Sequence, residues 1–138
     1  MFLDHKNLYN SIAGFFFYVI CTFDEEGYHL VGYFSKEKVR VSSDNNLSCI
    51  LVLPFAQNGG YGKLLIEMSY ALSMLEDKPG GPERPLSDLG HRIYANFWTR
   101  RVVKVLLDLN EKTEEITITK IRELTGMLEQ DIIYILDN

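Results

Sequence analysis

The stretch that most constrains the fold is CILVLPFAQNGGYGK, residues 49–63, which joins an apolar run to a glycine-rich loop and then to a helical pattern. Leu47–Leu53 is rich in aliphatic residues, as buried strands are, and Pro54 ends it. From Tyr61 to Asp77, leucine and methionine recur at helical spacing. The stretch therefore predicts a strand, a short loop at residues 55–60 and a helix in direct succession.

Glycines in this loop predict a close approach between the backbone and a ligand. The three glycines are Gly59, Gly60 and Gly62. A helix start adds unpaired N–H groups and the positive end of the helix dipole, which together favour phosphate or pyrophosphate. The spacing matches neither a Walker loop, because Lys63 is followed by leucine, nor the G-x-G-x-x-G dinucleotide fingerprint. On these residues alone, an anion site and a plain tight turn at Asn58-Gly59 both stay open.

The flanking segments predict an α+β domain. Phe15–Phe23 and Tyr28–Phe34 are strand-like and are separated by the turn cluster Asp24-Glu25-Glu26-Gly27, which indicates a β-hairpin. Lys78-Pro79-Gly80-Gly81-Pro82 must break the first long helix, and Ser87 can cap a second helix. The segments predicted in the tail are a short β segment at Ile116 and Ile118, a helix over Lys120–Thr125, a turn at Gly126 and a last helix over Glu129–Leu136, similar to a helix-turn-helix.

Composition and charge exclude several classes of protein. A length of 138 residues fits one domain with a single core. The longest apolar stretch, Phe15–Cys21, is too short to cross a membrane, and the first residues do not resemble a signal peptide. A net charge of −5 argues against binding to a phosphate backbone and mildly favours a cationic partner. The cysteines, Cys21 and Cys49, have no paired spacing, which favours a reducing compartment.

Four collinear segments resemble MYST-type lysine acetyltransferases. Gln57-Asn58-Gly59-Gly60-Tyr61-Gly62-Lys63 is similar to the acetyl-coenzyme A motif Q-R-x-G-Y-G-K of that family. The other three segments are FLDHK at residues 2–6, HLVGYFSKEK at residues 29–38 and PERPLSDLG at residues 82–90, in the family's order and spacing. The resemblance covers the whole chain and corresponds to the part of the family's catalytic domain that follows its zinc finger.

The resemblance implies a fold and an activity. The fold is α+β, with a GNAT-related acetyl-CoA N-acyltransferase core over residues 1–112. Residues 113–138 would be a helix-turn-helix-like, partly winged-helix-like segment of the same domain. The activity would be acetyl transfer from acetyl-CoA to the ε-amine of a lysine in a histone tail or another basic protein. The alternative is a truncated or degenerate member that binds acetyl-CoA or a chromatin partner without efficient turnover.

A DNA-binding module built on the tail is the least favoured function. Its helices carry Glu123, Glu129 and Asp131 against Lys120 and Arg122, so they present no basic stripe. The basic residues of the second helix, Arg100, Arg101 and Lys104, are explained by a solvated helix face. We therefore expect no nucleic acid and no membrane partner. From the resemblance we expect a nuclear protein that associates with other subunits of a chromatin-modifying complex.

The resemblance also implies which residues bind the coenzyme. In the family, main-chain groups of one strand hold the pantetheine arm and polarise the thioester carbonyl, and the glycine-rich loop holds the pyrophosphate. The positions that correspond here are Ile50, Leu51, Val52, Gln57, Asn58, Gly59, Gly60, Tyr61, Gly62, Lys63, Ser87 and Asn96. Ser87 can equally serve as a helix N-cap, and Asn96 replaces a serine.

Glu83 matches the general base of the family. Chemistry needs a base, because a lysine amine has a pKa of about 10.4 and is almost entirely protonated near neutral pH. From the residues alone, Glu83 is more simply a solvated surface acid beside Arg84. Cys49 matches a cysteine next to the reacting centre, either a transient acetyl carrier or a pocket wall, and we favour direct transfer with Cys49 as a wall. Lys6 matches the self-acetylated lysine, or is an ordinary surface lysine.

The chain departs from the family pattern at a few positions. Asn58 stands where the family has arginine, which predicts weaker coenzyme binding by about 1–2 kcal/mol. His91 and Arg92 replace two leucines, which indicates a changed helix face or partner. The histidines and cysteines show no zinc-site spacing, so we expect no metal in this chain.

Overall fold

A computed structural model of the protein describes residues 12–39, 43–112 and 115–138. These residues form sheets and helices, and both contribute side chains to the core. No helix in these described ranges is long and apolar enough to cross a bilayer. Two short 3-10 helices lie at Ile12–Gly14 and Pro54–Ala56. The strands and helices are β1 (Phe15–Asp24), β2 (Gly27–Glu37), β3 (Asn45–Leu47), β4 (Cys49–Val52), α1 (Tyr61–Leu75), β5 (Gly81–Pro82), α2 (Asp88–Glu111), α3 (Ile118–Thr125) and α4 (Glu129–Asp137).

The predicted hairpin is present as β1 and β2. The two strands pair antiparallel from Phe15 opposite Glu37 to Asp24 opposite Gly27, and β4 pairs antiparallel with the other side of β2. Gly27 has a φ of 121°, which an L side chain rarely adopts, so glycine is needed at this turn. The Asp24 carboxylate accepts hydrogen bonds from His29 and from the Glu26 amide, and these bonds lower the pKa of Asp24.

The single strand predicted over Leu47–Leu53 is wrong, because the chain changes sheets at Ser48. β3 pairs in parallel with β5, whereas β4 pairs with β2. At the change, the Ser48 amide donates to the Ser35 carbonyl at 2.7 Å, and the Cys49 amide donates to Ser35 Oγ at 3.1 Å. β5 lies within the segment predicted only as a helix break. Because its two residues pair with a strand more than 30 positions away, local sequence patterns carry no signal for it.

The second helix begins as predicted. Ser87 Oγ accepts a hydrogen bond from the Gly90 amide at 3.0 Å, which is a helix N-cap. The structure also gives a reason for a glycine in this first turn. A Cβ on Gly90 would lie only 3.2 Å from Ser87 Oγ, so a larger residue would crowd the cap.

One hydrophobic core joins the helices α1, α2, α3 and α4. Its buried members are Ile66 and Tyr70 from α1, Tyr94, Phe97, Trp98 and Val102 from α2, Ile121 from α3, Met127, and Ile132 from α4. A second cluster of Phe34, Leu47 and Leu65 packs the sheets against α1. Beside it, the buried ammonium group of Lys36 on β2 pairs with Glu76 at the end of α1. The tail therefore packs into the same core as the rest of the described chain.

The β segment predicted at Ile116 and Ile118 is wrong. Ile118 is the first residue of α3, and the Thr117 side chain caps this helix by accepting from the Lys120 amide at 3.1 Å. The cap residue lies between the two isoleucines, and this explains why their alternation resembled a strand. The turn at Gly126, with a φ of 67°, and the last helix are confirmed.

Candidate active site

The strand β4 lies at the edge of its sheet. The sheet order is β1-β2-β4, so no strand among the described residues pairs with the far side of β4. Ile50, Leu51 and Val52 on this strand are each half-buried. The Gln57 side chain folds back and donates to the Val52 carbonyl at 3.2 Å. An unpaired strand edge presents main-chain hydrogen-bonding groups that an extended ligand can use.

The loop after β4 is shaped by unusual backbone angles. Asn58 and Gly60 have φ angles of 65° and 83°, in the left-handed region that favours asparagine and glycine. A Cβ on Gly59 would lie 2.8 Å from the Tyr61 ring and 3.2 Å from the Ala56 carbonyl, so only glycine fits there without a shift. The strand-loop-helix prediction is confirmed, and the turn is tight as well as glycine-rich.

The helix α1 starts with its first amides uncapped by a side chain. Its N-cap is Gly60, which has no side chain to accept a hydrogen bond from the first turn. The opening residues, Tyr61, Gly62 and Lys63, therefore present N–H groups at the positive end of the helix dipole. This geometry is suited to an anion, and it lies directly after the open strand edge of β4.

A groove of about 360 Å³ runs between the start of α1 and the first half of α2. It brings together Lys63 and Asn96, which the sequence had placed in one site. The lining residues are Lys63, Arg92, Ile93, Asn96, Phe97 and Arg100. Arg92, Asn96 and Arg100 recur every four residues and so lie on one face of α2. Three cations thus face one groove in a chain of net charge −5.

Arg92 and Arg100 were not identified as site residues from the sequence. The sequence explains Arg100 by a solvated helix face, and it shows Arg92 only as a departure from the family pattern. Neither arginine forms an ion pair within the described ranges. Lys63 does, because its Nζ lies 3.5 Å from Glu67 Oε1. Their four-residue periodicity with Asn96 was the available signal. What the sequence lacked was the position of α1 opposite that face.

Glu83 follows β5 directly and is tied to the strand that precedes Cys49. Its amide donates to the Leu47 carbonyl at 2.8 Å, and the Gly81 amide donates to the Asp44 carbonyl at 3.0 Å. Leu47 lies two residues before Cys49, so the β3–β5 pairing places the Glu83 backbone beside the start of β4. Glu83 and Cys49 are both half-buried. Glu83 and Cys49, 34 positions apart in the chain, thus lie on neighbouring segments.

Arg84, next to Glu83, contacts the helical half of the molecule. Its guanidinium pairs with the carboxylate of Asp131 on α4 and lies over the Trp98 ring, 5.7 Å from its centroid. Asp131 is only 1% exposed. Burial raises the pKa of Asp131, and the neighbouring Arg84 opposes that rise. No sequence pattern pointed to this pair, whose members are 47 residues apart.

The remaining predictions concern Ser87, Lys6 and a metal site. Ser87 caps α2, and its hydroxyl proton is still available to donate to a ligand. Lys6 lies outside the described residues. Within the described ranges, no group of three histidine, cysteine, aspartate or glutamate side chains is arranged to hold a metal ion.

Comparisons with known proteins place the chain in a family. The sequence profile of the MOZ/SAS family matches residues 1–138. Histone acetyltransferase esa-1 of Neurospora crassa is 50% identical over 133 residues, which cover 96% of this chain and 26% of that protein. ESA1 of Saccharomyces cerevisiae is 50% identical over 97% of this chain and 29% of its own length. MOF of Drosophila melanogaster is 47% identical over 100% of this chain and 16% of its own length.

The chain spans less than a third of each of these relatives. All three are named histone acetyltransferases, and the family match extends over the open strand edge, the glycine loop and the Glu83 segment together. The profile covers the full sequence, and identity near one half far exceeds what two unrelated chains share. This chain therefore belongs to the MOZ/SAS family, the MYST-type acetyltransferases.

Proposed function

We propose that this chain transfers an acetyl group from acetyl-CoA to the ε-amine of a histone-tail lysine. The observation that carries the proposal is the continuous path from the open edge of β4, through the uncapped start of α1, to the groove lined by Lys63, Arg92 and Arg100. Such a path offers hydrogen bonds to an extended amide-containing arm at one end and positive charge to phosphates at the other.

Each end of the path suits one part of acetyl-CoA. The pantetheine arm would lie along Ile50, Leu51 and Val52, where main-chain groups can bind its amides and polarise the thioester carbonyl. The pyrophosphate would lie on the loop at residues 57–63, and the groove cations would balance its charge. Ser87 and Asn96 would add hydrogen bonds from α2. The acetyl donor supplies the thioester, whose carbonyl carbon is the electrophile.

Glu83 would act as the general base. Its carboxylate accepts a proton from the substrate lysine as the amine nitrogen attacks the thioester carbonyl carbon. A C–N bond forms, the C–S bond breaks, and the CoA thiolate leaves and is protonated to the free thiol. Cys49 begins β4 close to this segment, and we assign it to the pocket wall, so no acetyl-cysteine is needed.

Partners and location follow from the same proposal. A histone tail is strongly cationic, and a chain with 14 basic and 19 acidic residues attracts such a substrate. We propose a nuclear protein that works with subunits of a chromatin-modifying complex. We also propose that residues 1–112 form a GNAT-related core and that residues 113–138 are a partly winged-helix-like segment of the same domain.

One observation favours the second candidate, a family member that binds acetyl-CoA with little turnover. Asn58 removes the arginine of the family motif, so the loop offers one cation fewer to the phosphates. Arg92 and Arg100 in the adjacent groove can replace that charge, and this is why we favour the active enzyme.

The test combines binding and turnover in one sample. The chain is titrated with acetyl-CoA by calorimetry, and a histone-tail peptide is then added while acetyl-lysine is measured by mass spectrometry. A matched peptide with arginine in place of every lysine is the control. Saturable binding followed by lysine acetylation supports the proposal. Binding without transfer supports the second candidate, and no binding by a folded sample contradicts both.

A further inference from the structure

We propose that Asp131 on α4 is a positioning residue for Glu83, and that it acts through Arg84. This inference rests on the proposed role of Glu83 as the base. The carboxylate lies in the tail, far from Glu83 in sequence, and its guanidinium partner is the residue next to Glu83. The C-terminal helices would then set the geometry of the catalytic segment in addition to filling the core.

Arg84 is held on two sides. Its guanidinium pairs with Asp131 Oδ1 and lies over the Trp98 ring, 5.7 Å from the centroid. Trp98 is itself 1% exposed and hydrogen-bonded to Tyr70 at 2.6 Å, so the surface beneath Arg84 is rigid. An arginine fixed by a charge-assisted hydrogen bond to a carboxylate oxygen and by an aromatic face restricts the backbone of its neighbour, Glu83.

The same carboxylate also touches the residue that begins β5. A Cβ built on Gly81 would lie 2.9 Å from Asp131 Oδ2 and 3.3 Å from the Leu128 side chain. The preceding Gly80 amide donates to the Gly126 carbonyl at 2.9 Å. The turn before α4 and the first turn of α4 therefore contact the segment on one side of Glu83, and the Arg84 pair holds it on the other.

Stability alone gives a weak reason for this arrangement. Removing the Asp131 carboxylate from water costs free energy that its attraction to the half-exposed Arg84 guanidinium only partly offsets, so an ion pair with a buried member seldom adds much net stability. Asp131 Oδ2 accepts no hydrogen bond from any described residue, which leaves part of that cost unbalanced. A well-packed apolar residue would hold the helix equally well. What the ion pair adds is direction, because it fixes the position of Arg84 and with it the backbone next to Glu83.

A double-mutant cycle tests the inference through turnover. Asp131→Asn keeps the size of the side chain and removes its charge, and we expect kcat for peptide acetylation to fall at least about ten-fold with the KM for acetyl-CoA unchanged. In a Glu83→Gln background the same change should have almost no further effect, because no base is left to position. Asp137→Asn, on the exposed end of the same helix, is the control. A full additional loss in the Glu83→Gln background would overturn the inference.

Hydrogen exchange tests the contact without any need for activity. In Asp131→Asn we expect the amides of Gly81 and Glu83 to exchange at least about ten-fold faster, while the Leu53 amide, bonded to the Val31 carbonyl, is unchanged. Unchanged exchange at Gly81 and Glu83 would overturn the inference. If the wild-type chain transfers no acetyl group, the proposed function fails, and this measurement alone decides the positioning role.

A second variant guards against misfolding of the first. Arg84→Gln breaks the same ion pair from its more exposed member, and Arg84→Lys keeps the charge while losing the planar fork. Arg84→Gln should reproduce the exchange pattern of Asp131→Asn, and Arg84→Lys should restore part of kcat. Absence of both effects in folded variants would contradict the role of the pair.

Discussion

The indole Nε1 of Trp98 on α2 donates a hydrogen bond to the hydroxyl of Tyr70 on α1 at 2.6 Å, and both side chains belong to the hydrophobic core. Both side chains are fully buried, and burial raises the pKa of Tyr70 far above its ordinary value. Trp98 also contacts the segment that follows β5, because its ring lies beneath the guanidinium of Arg84. The bond therefore links the packing of α1 and α2 to the segment that carries Glu83.

Trp98→Phe should destabilise the chain by more than the lost contact alone. It leaves the Tyr70 hydroxyl buried without its donor, which costs about 1–3 kcal/mol in addition to the cavity. Tyr70→Phe removes the other partner, so the double variant should lose less free energy of unfolding than the two single variants added together. Urea unfolding of the four proteins checks this, and strict additivity would contradict it.

Asn58→Arg should tighten acetyl-CoA binding and lower thermal stability at once. The restored cation adds a charge-assisted contact of about 1–2 kcal/mol to a phosphate. Arginine in the left-handed conformation at a φ of 65° costs roughly 1 kcal/mol whether or not ligand is bound. Asn58→Gln is the matched control, with the same backbone cost and no charge. An unchanged Kd in Asn58→Arg would mean that the phosphates are held elsewhere.

Arg92→Leu should weaken acetyl-CoA binding by about five-fold at low salt, because one groove cation is lost. The substitution introduces the residue found in the family motif, so the helix should tolerate it. Calorimetric titrations at two salt concentrations measure the effect, which should shrink as salt increases. Lys104→Leu on the same helix lies outside this groove and is the control. Equal effects of the two substitutions would contradict a specific role for Arg92.

The stability contributed by Asp131 should decrease as pH rises. Burial raises the folded pKa of this carboxyl above its ordinary value of 3.8, with Arg84 opposing the rise. A raised carboxyl pKa stabilises the fold fully below the unfolded pKa, and the contribution is lost as pH rises through the folded pKa. The stability of wild type relative to Asp131→Asn should therefore be greater near pH 4 than at pH 7. Urea unfolding of both proteins at these pH values tests the sign, and the reverse order would mean that the Arg84 pair dominates.

Local patterns predicted the elements whose signals are contained in a few neighbouring residues. The turn cluster ending at Gly27 and the cap at Ser87 both act over three or four positions, and both are present. The division of one apolar run at Ser48 depended on Ser35, in a different strand. In the tail, Ile116 and Ile118 alternated like a strand because the cap Thr117 lies between them.

The candidate site was predictable only in part for the same reason. The glycine loop and α1 are consecutive in sequence, so their juxtaposition followed from the pattern. The groove required Arg92 and Arg100 to face Lys63 across two helices, and the contact of Arg84 with Asp131 spans 47 positions. Contacts of that kind are decided by packing in three dimensions, and the spacing of Arg92 and Arg100 indicates a shared helix face but not which segment lies opposite it.

The most direct test of the account compares kcat for peptide acetylation in Glu83→Gln and Cys49→Ala. Glu83→Gln should lower kcat by about 10²- to 10⁴-fold near neutral pH with the Kd for acetyl-CoA unchanged, because the base is lost and the binding path is intact. Cys49→Ala should keep kcat within about ten-fold of wild type, because direct attack needs no thiol. A Glu83→Gln enzyme with near-normal kcat would contradict the assignment of Glu83 as the catalytic base, and a Cys49→Ala enzyme with none would contradict direct transfer.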